Sequence, residues 1–566
     1  MSKLTRRSFL GFTGATSALF LAACGGGSSD SGSGGAPAAG GKGLGVMLYT
    51  NVMSLDTDLA TDGDSFEVIA DCIDGLMQMA ADGAAIPALA ESTDVSEDGC
   101  TWTFHLRDAN WSNGTPVTAN DFVFAWRRIC KNAGEYAYMM DEIGNIKGAA
   151  AIIAGEEEDT TTLAVTAIDD KTLEVQLEVP VPFFDSLMYF PTFYPINEEF
   201  YNGLADGTYG TSPDTFLSCG AFTLTDYTPG AASLTVTKNE GYWDAENITL
   251  PSINYQVVGS SDNALTAFKS NTLDVVMIGG DQVAAAEADA DLKDKLTVTG
   301  AGYMWYLTFS QTEKNAQGGM LANQNLRLAI SNAIDREAIV DNYVQDGSIA
   351  TYTAVPPQFA ASATTGEDFS ADQERFKDYI GYDVAKAKEY FEAAKKELGV
   401  DSFEFTMIYG NNEGDEVTKV AQAIKEQVEE NLEGGVILNL QGMTKAERLD
   451  KMQEDNYDVA LTRWGPDYAD PMTYLGMWIT NNSNNYGFWS NAEYDKIIAD
   501  CTTGAYVSDY DARWAALYDA EEIVMQEAVI APLYTKANAN LINPSVQGIE
   551  FHPVALNRVY KNTTIA

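Results

Sequence analysis

Histidine is almost missing from this 566-residue chain: His105 and His552 are the whole supply. Charge relays and most catalytic zinc sites draw on histidine. Neither H-E-x-x-H nor G-x-S-x-G occurs in the sequence, so the common hydrolase signatures are absent. His105 sits in an alternating apolar run and reads as structural. Cysteine is sparse too. None of the six forms C-x-x-C, which removes the usual zinc and redox motifs, and metal capture by a histidine cluster is not expected. Basic residues are scarce, 34 against 82 acidic ones, for a formal net charge of −48. Nucleic acid binding needs a basic face that displaces counterions, so nucleic acid is a poor partner. A cationic ligand meets an attractive field and an anionic one a repulsive field, although most of these carboxylates read as ordinary solvated surface. There is no internal repeat. Beyond the first 24 residues, no apolar run is long enough to cross a membrane.

The chain does have length and apolar mass. At 45% apolar residues with 28 tyrosines it is expected to fold into two to four domains with ample cores. Its first residues read as an address. "TRRSFLG" puts Arg6 and Arg7 ahead of a mildly apolar stretch, residues 9–23, that ends in "LAAC". This resembles a twin-arginine export signal joined to a lipoprotein cleavage box. The resemblance implies a signal peptide over 1–23, cleavage before Cys24 and a diacylglyceryl thioether on its sulfur, placing the protein on the outer face of the cell membrane. The alternative, a transmembrane anchor, is opposed by the short run and by Gly11, Thr13, Gly14, Thr16 and Ser17 within it. Residues 24–43, rich in Gly, Ser and Ala, read as a flexible tether spanning about 25 Å. The "GAPAAGGKG" within it lacks both the Ser/Thr after Lys42 and the preceding strand of a phosphate loop, so no cofactor is expected. Without Cys24 five thiols remain, Cys72, Cys100, Cys130, Cys219 and Cys501. That odd number leaves at least one free and no pairing named.

Along the chain the texture changes. "TWTFHLRD" alternates Trp102, Phe104 and Leu106, and "KTLEVQLEV" alternates Leu173, Val175, Leu177 and Val179, both strand-like. Between them Phe122, Trp126 and Ile129 share a helical face. Later, Asp383 reads as the N-cap of a helix with a Val384, Ala387, Phe391, Ala394 and Leu398 stripe, stopped by Gly399. Strands at 403–408, 436–440 and 457–461 alternate with helices, one carrying Val417, Val420, Ile424 and Val428 and one opened by a Thr444…Glu447 capping box. Strand–helix alternation predicts parallel α/β packing.

Directly after the last of these strands comes "RWGPDYADPMTYLGMW" (463–478). It sets Asp467 and Asp470 among Trp464, Tyr468, Tyr474 and Trp478. Ligands of open α/β sheets bind beyond the carboxyl ends of the strands. A carboxylate beside aromatic rings is poorly solvated and needs a cation or donors. An ammonium ligand supplies both, and a ring face adds cation–π attraction. The bland alternative is a turn residue capping the next helix. The two aspartates also have the composition of an acid–base dyad, but a working dyad needs one raised pKa, which is a property of the fold.

At this point a resemblance covers nearly the whole chain past the tether. "SLDTDLATDGDSFEVIADCIDGLM", "TWTFHLRDANWSNGTPVTANDFVFAWRR", "KNEGYWDAENITLPSINYQVV", "LRLAISNAIDREAIV", "RWGPDYADPMTYL" and "SNNYGFWSNAEYDKII" are similar to the extracellular solute-binding proteins of peptide ABC importers, closest to the oligopeptide-binding group. The resemblance implies an α/β, two-lobed periplasmic-binding-protein-like clamp with an additional subdomain on the first lobe. Lobe I would comprise 44–81, 211–302 and 531–566, the extra subdomain 82–210 and lobe II 303–530, with hinge crossings near Gly302 and Ala531. It implies a binding protein and no enzyme. The protein would capture oligopeptides and deliver them to a permease with its ATPase subunits. By the same resemblance Asp467 binds the ligand's terminal amine and Trp464 lines the cleft with Tyr468. The loop at Asp62, Gly63, Asp64 and Ser65 pairs with the peptide as an added strand. Tyr136, Tyr138, Asn484, Asn485 and Tyr486 are further lining candidates.

The sequence departs from the family pattern in places. "LDP" is "LDT" here, "NGPF" is Cys219-Gly220-Ala221-Phe222, and the strand before the Trp motif reads "VALTRW". Several relatives carry a basic residue facing the ligand's carboxyl end where this chain has Leu461, with Arg463 two positions along. Capture of the ligand carboxylate is therefore an open question at this stage. Binding of an oligosaccharide or metal complex on the same fold, or a surface peptide-signal receptor without transport, are the alternatives.

Overall fold

The computed structural model describes residues 42–80, 83–314, 318–362 and 364–566. Cys24, the signal peptide and nearly all of the tether lie outside them.

The stripe predicted after Asp383 forms a helix, Val384–Leu398, that buries Ala387, Phe391 and Ala394. The Asp383 carboxylate accepts from the amides of Ala385 and Lys386, and Gly399 closes the helix in the left-handed region. Around it the predicted alternation holds. Strands Phe403–Gly410, Val436–Met443 and Val459–Trp464 are parallel neighbours, with helices Asp415–Asn431 and Lys445–Gln453 between them in sequence. Phe405, Val420, Ile424, Leu438 and Leu461 close into one core.

These three strands are one end of an eleven-stranded sheet. The other end runs through Val275–Ile278, Leu44–Leu48, Ser252–Val257, Ser233–Lys238 and Phe222–Asp226. Two long strands join the ends, Leu296–Phe309 and Ile530–Ile542, paired antiparallel. Their register breaks between Gly300 and Met304, opposite Thr535 and Ala537. Ala531 pairs with Leu307, farther along. Gly302 sits in the break at φ +70°, where a Cβ would lie 2.3 Å from the Pro553 carbonyl oxygen and 3.0 Å from the Pro466 ring. Only glycine fits there. The Tyr474 hydroxyl donates to the carbonyl of Gly302.

Apart from this sheet, Ala90–Val95, Thr101–Leu106, Thr172–Gln176 and Val165–Asp169 make a four-stranded antiparallel sheet covered by helix Ala119–Asn132. The inward residues are the predicted ones: Trp102, Phe104, Leu173, Val175, Phe122, Trp126 and Ile129. Arg128 forks onto Asp56, its Nη1 2.7 Å from Oδ1, tying this subdomain to the loop before helix Gly63–Cys72. The five described cysteines are free thiols. No described helix is long and apolar enough to cross a membrane.

Candidate functional site

Strand Val459–Trp464 delivers its last residue to the rim of a cleft, and the chain then leaves the sheet through Gly465 and Pro466. The next two aspartates diverge. Asp470 turns inward. Arg513, on helix Tyr510–Gln526, forks onto it at 2.8 Å to each carboxylate oxygen, and its Oδ1 accepts from the Met472 amide at the start of a short helix. The capping role that the sequence offered for Asp467 belongs to Asp470.

Asp467 turns to the cleft. Its amide donates to Thr473 Oγ1 at 3.1 Å, which fixes the backbone. Burial pushes its carboxyl up to about 6, opposed by a hydrogen bond from the Tyr138 hydroxyl. No basic side chain is among the causes of that shift. Both Tyr136 and Tyr138 have their hydroxyl pKa raised, first by burial and next by the nearby Asp467 charge. One of the two aspartates is thus shifted and the other is locked in an ion pair, so they do not share a proton as a dyad does.

The cleft holds about 1240 Å³ of empty space and is walled from five parts of the chain, one of them Tyr303 of strand Leu296–Phe309. Asp62, Gly63 and Phe66 come from helix Gly63–Cys72 and its cap. Tyr136 and Phe190 come from the inserted subdomain. Residues 463–467 with Lys445, Arg448 and Tyr486 come from the far side, and residues 553–555 with Asn557 from the C-terminal segment. The Trp464 indole Nε1 is buried without an acceptor, a donor left for a ligand.

A second charged cluster faces the same cleft. Arg448 is buried and pairs with Glu413 at 2.8 Å, and Arg463 reaches the other oxygen of Glu413 at 3.3 Å. Lys445 stands beside them with its pKa lowered, by burial first and by the Arg463 charge next. Burial also lowers the Arg448 pKa. The Arg463 guanidinium lies 4.5 Å from the Tyr303 ring centre. Arg448 and Arg463 share the Glu413 carboxylate, while Lys445 feels the charges of Glu413 and Glu135, so three cations face two carboxylates here and the cluster keeps positive charge to offer.

The structure sorts the residues expected from sequence. Asp467, Trp464, Tyr136, Tyr486, Asp62 and Gly63 meet at the cleft, and Tyr138 reaches it through Asp467. Four do not. Tyr468 is buried and stacks flat on Phe183 at 4.4 Å. Asn485 is buried, its amide spent on the carbonyls of Trp478, Ile479 and Trp489. Asp64 accepts from the amide and hydroxyl of Thr50. Ser65 is buried under Asp62 and accepts from Met53 N. The expectation of an extended loop at 62–65 is corrected: Asp62 is extended, but Gly63, Asp64 and Ser65 form the first turn of a helix that Asp62 caps. Helical amides point along the axis and cannot pair as a strand edge. Arg463 lines the cleft beside Glu413 and Tyr303. Sequence reading missed Lys445, Arg448, Tyr303 and the C-terminal segment. The signal for the first two was present, because positions three apart on a capped helix share a face.

Compared with known proteins, residues 84–486 match the model of the bacterial extracellular solute-binding proteins, family 5. The chain belongs to this family. Among its relatives, the dipeptide-binding protein of Lactococcus lactis is 31% identical over 560 residues, covering 96% of each chain. The oligopeptide-binding protein OppA of Bacillus subtilis is 32% identical over 543 residues, covering 94% of each. Among solved structures, Listeria monocytogenes OppA bound to peptide overlaps with a TM-score of 0.71 at 31% identity, covering 92% of this chain and 99% of that one. The unliganded open form of the murein tripeptide-binding protein MppA overlaps with a TM-score of 0.76 at 27% identity, covering 92% and 97%. The fold of this family 5 member is therefore the two-lobed clamp, and the protein is an extracellular solute-binding protein.

Proposed function

We propose that this family 5 protein is a lipid-anchored receptor that captures short peptides between its lobes and hands them to an ABC importer. One observation carries the reading. A cleft lined on one side by the start of helix Gly63–Cys72 and on another by residues 463–467 presents a half-buried carboxylate, Asp467, with no basic side chain among the causes of its shift, and also positive charge at Lys445, Arg448 and Arg463. A peptide zwitterion is the complement of that pair of charges. Its ammonium takes over the solvation that Asp467 lacks, and its carboxylate meets the basic cluster in spite of the chain's acidic balance. The names of the relatives, dipeptide- and oligopeptide-binding, support the same substrate class.

The other parts follow the sequence reading. Lobe I is assigned to 44–81, 211–302 and 531–566, the extra subdomain to 82–210 and lobe II to 303–530. The crossing strands act as the hinge, and a ligand that touches both lobes favours closure. Cys24 carries the lipid, so Cys24→Ala is expected to move the protein from the membrane fraction to the soluble fraction.

The test is calorimetric titration with a mixed tri- to pentapeptide library, beside the same library N-acetylated. Saturable binding that acetylation removes is the expected outcome. Binding that survives acetylation would sink amine capture at Asp467. Absence of binding to either library would sink the peptide reading.

A further inference from the structure

Farther along the helix whose start lines the cleft, a second cavity of about 200 Å³ opens. Gly63 and Phe66 meet the first, and Glu67, Ala70, Asp71 and Asp74 meet the second; the two share no lining residue. One wall is apolar, made by Met77, Met79 and Ile86 of the hairpin Met77–Met79 and Ala85–Pro87, with Leu556 and Val559 nearby.

At its base lies Arg558, 6% exposed at the side chain. Its Nε donates to Glu67 at 3.0 Å and its Nη2 to the Met47 carbonyl at 2.9 Å. Its Nη1 is buried and has no acceptor. The acids around it are already engaged. Glu67's other oxygen takes the Tyr560 hydroxyl at 3.0 Å, and Asp71 takes the Tyr255 hydroxyl at 2.5 Å. Asp74 takes the Tyr242 hydroxyl at 2.7 Å and the Trp243 indole at 3.0 Å. Lys561 donates to Gln78 at 2.7 Å. The unmet demand in this cavity is therefore for an acceptor. A buried charged donor left unmet is costly, and native proteins rarely keep one. Burial holds Glu67 at about 7 and Asp71 well above the carboxylate range, which thins the negative charge a ligand oxygen would face.

We propose that this cavity is a second binding site, for a small amphiphile whose carbonyl oxygen accepts from Arg558 Nη1 and whose apolar chain lies along Met77, Met79 and Ile86. Carboxylates and carboxamides share that oxygen. The site is separate from the peptide cleft and does not depend on it.

The test uses the full chain produced without lipidation, titrated calorimetrically with octanoate, octanamide and octylamine. Replacing Arg558 would strand Glu67 and risk the fold, so the wall is altered instead. Ile86→Asp charges a residue that is 37% exposed, and Ala70→Phe fills the space. Octanoate, octanamide or both should bind at one site, with octylamine at least tenfold weaker. Each wall variant should weaken that binding at least fivefold, and Asp467→Asn should leave it unchanged. Of the two oxygen-bearing probes, the tighter one assigns the charge of the head group. Three results overturn the proposal: no saturable binding of octanoate or octanamide into the millimolar range, octylamine binding as well as they do, or binding lost in Asp467→Asn but kept in both wall variants.

Discussion

Asp467 and Asp470 stand three residues apart in one loop, Asp470 buried and Asp467 half-buried. Arg513 forks onto Asp470, and its worth is structural. Asp467 has a tyrosine hydroxyl and a raised pKa, and its worth lies in what it lacks. The difference comes from a residue forty-three positions away in sequence. A carboxylate's role is set by whether the fold brings it a cation or leaves that to the ligand.

The largest expected effect breaks the stable member of the pair. Asp470→Ala strands a buried guanidinium and should cost about 3–5 kcal/mol in urea unfolding. The peptide affinity of the molecules that stay folded should remain near wild type. A much smaller loss of stability would mean that Arg513 finds another acceptor.

Asp467→Asn should do the reverse. Peptide affinity falls about 100-fold, close to 3 kcal/mol, while the ligand-free protein becomes about 1–2 kcal/mol more stable at pH 7.5 because a carboxylate no longer needs to ionise in a buried site. Equal losses of affinity and stability would make the two aspartates the same kind of residue.

The pH dependence sharpens the contrast. Asp467's folded pKa, about 6, is above its ordinary value of 3.8. Its contribution to ligand-free stability is full below pH 3.8 and fades as pH rises through 6. Peptide binding runs the other way, because the ammonium needs the ionised carboxylate. Affinity should drop about tenfold per pH unit below 6 and be flatter in Asp467→Asn, when calorimetry is repeated from pH 4.5 to 7.5.

The smallest effect probes the basic cluster. Lys445→Met should weaken a peptide with a free carboxyl end about tenfold, in the range of one charge-assisted bond, and leave its C-terminal amide unchanged. Equal weakening of both forms would mean that Lys445 shapes the cleft without reading the carboxylate.

Much of this was legible in the residues. Periodicity located the helix at Ala387, Phe391 and Ala394 and the strands at Trp102 and Leu173, because burial imposes a period that composition records. The place of Asp467 followed from its position at a strand end. What could not be read depended on distant partners. Tyr468 differs from Trp464 only through Phe183, and Asn485 from Tyr486 only through three carbonyls it happens to meet. The segment 62–65 was expected as a loop through the resemblance alone, whereas its own residues suit a helix start, with Asp62 as cap.

Gly302 has a mechanical consequence. Pro466, the residue before Asp467, packs against the space where a side chain would stand, and Tyr474, a few residues on, is bonded to the glycine's carbonyl. The loop that carries Asp467 is fastened to the crossing strand at the break in its pairing. Under the proposed function, a pull on Asp467 would be felt at the pivot within a few bond lengths, and a turn of the pivot would re-aim Asp467 in the same motion. The sensor and the axle would then be one part.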